Sequence, residues 1–169
     1  MIESADLAAI AMQLGRPARG AMAVACRCPC GLPDVIQTAP RLPDGRPFPT
    51  LYYLTCIRAR AAASRLEASG LMQEMTAMLA SDPSLRAAYL AAHRDYAARR
   101  TAAAAVAGVE PLPDGTATAG GMPDRVKCLH ALAAQALAVP GSNPLGREAL
   151  TGMGEWWAAG PCVDFRAAR

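Results

Sequence analysis

The spacing of apolar residues changes along the chain from helical to strand-like and back. Ser4 is followed by Asp6, Leu7, Ile10, Ala11 and Leu14, which predicts a short amphipathic helix stopped by Gly15, with Pro17 beyond it. Gly20 to Cys26 and Val35 to Thr38 then read as strands divided by the turn signals Pro29, Gly31 and Pro33. A Pro-Asp-Gly turn at Pro43, Asp44 and Gly45 leads into Thr50 to Thr55, which is rich in strand formers, so three antiparallel strands are expected.

From Arg58 onward the pattern is helical. Ala61, Ala62, Leu66 and their neighbours run to Gly70, which either ends one helix or kinks a longer one, and Leu71, Met75, Met78 and Leu79 continue the stripe. Ser81, Asp82 and Pro83 offer a cap and a first-turn proline for a long helix from Pro83 to about Val106. Glu110 to Gly121 is a loop. Pro123 to Ala138 and Arg147 to Met153 complete the helices, the first with Val126, Leu129, Ala133 and Leu137 on its apolar side. The expected fold is α+β, a small three-stranded antiparallel sheet near the N-terminus packed with a mainly helical C-terminal half, in one domain over residues 1–169.

Composition narrows the function classes. Apolar residues make up 53% of the chain, which points to a packed core, and a net charge of +3 is too small for a nucleic-acid stripe. No apolar run is long enough for a bilayer span, and Glu3 and Asp6 stand where a secretory signal carries cationic and apolar residues. A cytoplasmic protein is therefore expected, in a compartment that keeps thiols reduced. Lys127 is the only lysine among 17 basic residues, a position where a compact ammonium is either required or retained by chance.

Against that background the six cysteines favour metal ligation over structural disulfides. Cys26, Cys28 and Cys30 alternate, so an extended strand would present them on one face, while a turn at Pro29 and Gly31 would draw Cys28 and Cys30 together. Cys56 follows the third strand, and Cys128 and Cys162 come from distant segments. Four thiolates among Cys28, Cys30, Cys56, Cys128 and Cys162 would suit zinc or an iron-sulfur cluster, and ligand softness does not separate the two. The competing readings are buried free cysteines, which Cys26 fits best, and a redox pair.

The run from Gly120 to His130 carries a second polar signal. If a helix starts after the glycines, its free N–H groups, with Gly121, Arg125 and Lys127, make an anion site, and His130 or Lys127 would act in acid or base chemistry there. Cys128 and His130 diverge on such a helix and could share a metal only if the segment is not helical. The plainer alternative is that Asp124 favours the helix dipole, Arg125 and Lys127 are solvated, and His130 is a satisfied boundary histidine. Trp156 and Trp157 read as a core cap.

Long motifs carry a family resemblance. Cys28-Pro29-Cys30-Gly31, Thr38-Ala39-Pro40-Arg41, the run from Pro47 to Cys56, Ser64 to Met72 and Gly121 to His130 together resemble a bacterial, chiefly actinobacterial, family of unknown function, DUF501. The resemblance extends from about residue 10 to Val163, and no established reaction or cofactor comes with it. The family pattern has proline after the thiol matching Cys56, where this chain has Ile57, and Cys26 lies outside the motif. The function expected is a cysteine-ligated metal centre beside an anion-binding site. The alternatives are a metal-free enzyme acting on an anionic small molecule through His130, and a module that binds a protein partner.

Overall fold

The computed structural model describes residues 2–164. Its elements are α1 (Ser4–Leu14), β1 (Ala21–Arg27), β2 (Pro33–Thr38), β3 (Tyr52–Leu54), α2 (Ile57–Ala68), α3 (Leu71–Ser81), α4 (Pro83–Ala107), α5 (Leu129–Ala138) and α6 (Pro144–Met153). The strands form one antiparallel sheet in the order β1-β2-β3, so the architecture is the α+β fold expected from the pattern. Val24 pairs with Ile36 and Ile36 with Tyr53, while Cys26 pairs with Val35 and Val35 with Leu54. This register places the end of β1, the start of β2 and the end of β3 at the same end of the sheet.

Helix α5 lies at the centre of the core. Leu129, Leu132, Ala133 and Ala134 are fully buried, and the helix packs against β3, α2 and α6. A buried polar chain locks the same region. Asn143 donates from Nδ2 to Gln135 Oε1 at 2.9 Å, accepts from the Gly146 N–H at 3.0 Å, and Gln135 Nε2 donates to the Ala92 carbonyl at 3.3 Å. Each of these amides is about 1% exposed, so the bonds offset a desolvation cost that would otherwise favour unfolding.

Local signals are honoured at most ends. Asp82 accepts from the Ser84 and Leu85 N–H groups at 2.8 and 3.0 Å, and Pro83 opens α4. Gly70 separates α2 from α3, and Gly15, in the left-handed region, stops α1. Three elements differ in extent. The third strand is limited to Tyr52–Leu54, and α6 begins at Pro144, where Asn143 caps it. The helix expected from Pro123 begins only at Leu129. Residues before it are held by their own backbone, with Lys127 N–H on the Gly120 carbonyl at 2.8 Å and Arg125 N–H on the Gly121 carbonyl at 3.3 Å. No helix among the described residues is long and apolar enough to cross a membrane.

Candidate metal centre

The late start of α5 is what assembles the site. Cys128 is the extended N-cap residue, and His130 is the second helical residue, so the two side chains turn toward the same side. Their Sγ and Nδ1 atoms are 3.9 Å apart. Glu67, near the end of α2, reaches across, accepting from the Leu129 N–H at 2.7 Å and meeting His130 Nδ1 at 3.0 Å. The anion at this helix N-terminus is thus the protein's own carboxylate, which satisfies an orphan first-turn donor and the positive end of the dipole.

The ring of His130 is held at both nitrogens. Nε2 lies 3.1 Å from the Arg60 carbonyl and 3.3 Å from Ser64 Oγ. Hydrogen bonding to Cys128, and then to Glu67, outweighs desolvation and raises its pKa from 6.5 to about 9. Burial pushes the Glu67 carboxyl up, but the hydrogen bonds from His130, the Leu129 N–H and Cys128 hold it below its ordinary value. The ring and the carboxylate are each about a quarter exposed, so the trio is open on one side. Cys128 and His130 line a cavity of about 260 Å³ with Tyr52, Tyr53, Arg60 and Ala131.

Three different donors, the Glu67 carboxylate, the Cys128 thiol and the His130 Nδ1, lie within 4.8 Å of one another, a spacing that can close on one metal ion. The Arg60 carbonyl holds the far ring nitrogen, as an outer partner does for a metal-ligating histidine. With no cation there, hydrogen bonds to Cys128 and Glu67 favour the protonated His130 ring. Because the folded pKa of His130 is raised, its contribution to stability is fully present below about pH 6.5 and is lost as pH rises through about 9. Chelator-treated protein is expected to lose on the order of 2 kcal/mol across that window in urea titrations, allowing for the partial exposure of the ring, and His130→Gln protein to show a flat profile there.

The other expected site residues are distributed as follows. Arg125 and Lys127 are exposed and line a separate groove against Met72, Gln73 and Thr76 of α3, away from the cavity that holds His130. Gly121, at φ +91°, is in close contact with its own loop. A Cβ there would lie 2.7 Å from the Arg125 carbonyl oxygen and 2.8 Å from Lys127 Cβ. Cys28 is buried and Cys30 half-buried in the turn that follows β1, Cys56 is the buried N-cap residue of α2, and Cys162 accepts from Gln13 Nε2 at 3.3 Å. Cys26 is half-buried in β1 and packs against the core. Trp156 also packs on the core, with Trp157 edge-on to it at 4.6 Å.

Glu67 is the residue that the pattern of the sequence did not single out. It read as one more polar position on a helix, although it falls inside the Ser64 to Met72 motif, which was the available signal. No curated protein and no solved structure matched the chain. A family model described as a protein of unknown function matches residues 24–151, a span that begins in β1, ends in α6 and includes Glu67, Cys128 and His130. Since that match covers most of the sequence and every element that builds the trio, the chain belongs to the DUF501 family.

Proposed function

We propose that the protein holds one divalent metal ion between Glu67, Cys128 and His130 and presents it to a small anionic molecule in the adjoining cavity. The observation that carries this is the convergence of three chemically different ligand atoms within 4.8 Å, two of them from Cys128 and His130, which line a cavity that also holds Arg60. A carboxylate, thiolate and imidazole set is suited to zinc, whereas an iron-sulfur cluster takes thiolates, of which this trio has one. Three protein ligands leave a position free, which is the arrangement of catalytic and not of structural zinc sites. A metal bound there supplies Lewis-acid polarisation of an oxygen on the bound molecule.

The chain's own groups have separate tasks. Glu67 fixes the start of α5 and the His130 ring, the Arg60 carbonyl and Ser64 fix the ring from the other side, and the Arg60 side chain offers charge to the anion. Acid or base catalysis by His130 without a metal is less well supported, because both ring nitrogens already face acceptors within the protein. Zinc titration of chelator-treated protein, followed by calorimetry, tests the proposal. One equivalent should bind to the wild-type trio with proton release. Cys128→Ser and His130→Gln should each weaken that binding by about a hundredfold. Unchanged zinc affinity in both variants would overturn it.

A further inference from the structure

We propose that the cavity on the outer face of the sheet binds a small organic anion built on an aromatic ring, with Arg16 and Arg19 meeting its charge and Phe48 and Tyr53 its ring. Strand alternation gives the sheet two faces. Val35, Tyr52 and Leu54 belong to the helical core, while Ile36, Thr38 and Tyr53 take the other face. Helix α1 packs against β2 but ends at Leu14, and the chain then runs through Arg16 to Arg19 before entering β1 at Ala21. Between this segment and the loop that carries Phe48 lies a cavity of about 490 Å³, within the range of roughly 300 to 1,000 Å³ typical of small-molecule sites. Ile36 and Thr38 line it and are only 1% and 2% exposed, so the sheet is its floor.

The walls are held in place without a ligand. The loop after β2 is closed by the Leu42 N–H on the Arg46 carbonyl at 2.9 Å, the Phe48 N–H on the Pro40 carbonyl at 2.7 Å and a bridge between Arg41 and Pro47. Phe48 is thereby fixed beside Tyr53, both half-buried, with ring centroids 6.4 Å apart and planes tilted by 34°. The two rings form an open corner against which a third ring can lie offset or edge-on. The Thr38 hydroxyl is taken by the Thr50 carbonyl, so the floor offers apolar contact.

Charge decides the other end of the ligand. Of the described residues that line the cavity, Arg16 and Arg19 alone are charged, and both are exposed. Neither makes a hydrogen bond or an ion pair among the described residues. Asp44, within electrostatic reach of Arg19, is already held by Arg46 at 2.6 and 2.9 Å. Two guanidinium groups without acceptors, beside an aromatic corner, complement an anion whose body is a ring, since arginine matches carboxylate and phosphate in both charge and shape. A neutral ring would leave both arginines unused, and an aliphatic anion would leave the corner unused.

This site does not rest on the metal proposed above. Tyr53 also borders the cavity at Cys128 and His130, but Arg16, Arg19 and Phe48 do not, and these three separate the sites. Calorimetric titration of chelator-treated protein with naphthoate and with naphthyl phosphate tests the proposal. Naphthamide supplies the ring without the charge, and octanoate the charge without the ring. One equivalent of a naphthyl anion should bind at least tenfold tighter than either control, and the tighter of the two anions identifies the head group as carboxylate or phosphate. Arg16→Ala/Arg19→Ala should weaken that binding at least tenfold, the loss of charge-assisted hydrogen bonds, and Phe48→Leu should weaken it as well. The arginine variant removes no hydrogen bond of the fold. Arg125→Ala/Lys127→Ala, whose cations line the groove on α3, should keep wild-type affinity. Octanoate binding as tightly as naphthoate overturns the aromatic occupant. No binding of either naphthyl anion, or wild-type affinity in Arg16→Ala/Arg19→Ala protein, overturns the site.

Discussion

Gly146→Ala is expected to destabilise the protein by about 3 kcal/mol, in spite of the helix propensity it gains. Gly146 lies in the first turn of α6, where the helix crosses α5 at backbone contact. A Cβ at this position would run into the Leu132 carbonyl oxygen and would lie 2.9 Å from Ala136 Cβ. Neither neighbour has a flexible end to move aside. Leu132 is fully buried, and α5 is backed by β3, so the clash is relieved only by lifting α6 and breaking the Asn143 cap on the Gly146 N–H. Alanine normally gains about 1 kcal/mol over glycine inside a helix, so a net loss reports a clash that exceeds that gain. Gly152→Ala is the control. Its Cβ would meet only the Leu66 methyl groups at 3.1 and 3.2 Å, the ends of a flexible side chain, and should change stability by less than about 1 kcal/mol. Equal urea midpoints for wild type and Gly146→Ala would show that α5 and α6 do not approach in this way.

What was readable in the sequence is what neighbouring residues decide. Gly15 stops α1, and Asp82 with Pro83 starts α4, because cap chemistry acts over three or four positions. The three antiparallel strands followed from branched and aromatic residues between turn signals. The start of α5 was not readable in this way. Pro123 looked like a first-turn proline, yet the segment folds back on Gly120 and Gly121, and the true helix start is satisfied by Glu67, which lies 62 residues earlier. The trio of Glu67, Cys128 and His130 depends on the same long-range event. Cys128 and His130 converge only because one is a cap and the other is helical, and Glu67 is unremarkable until α2 is laid beside α5. The bond from Gln13 to Cys162 and the burial of Asp34 likewise need the tail and α1 in place, which no local pattern encodes.

Gly121→Ala should damage the trio without touching any of its members, lowering zinc affinity by about a hundredfold and stability by about 3 kcal/mol. Gly121 has φ +91°, a left-handed conformation that costs a side-chain-bearing residue roughly 1 to 2 kcal/mol. The space is also taken. The Cβ would be 2.7 Å from the Arg125 carbonyl oxygen and 2.9 Å from the Lys127 backbone nitrogen, so the loop must open. Opening it breaks the Lys127 N–H bond to the Gly120 carbonyl, the last backbone bond before Cys128. The thiol then loses its fixed position relative to Glu67 and His130, whose own places are set by α2 and by the body of α5. Gly146→Ala provides the comparison, since its clash is with Leu132 and Ala136 of α5 and involves neither Gly121 nor the Lys127 N–H bond to the Gly120 carbonyl. If the two variants lose stability to a similar extent and Gly121→Ala alone loses zinc, the loop is what positions Cys128. If Gly121→Ala retains wild-type zinc affinity, the Gly120 to Cys128 loop has no part in holding the metal.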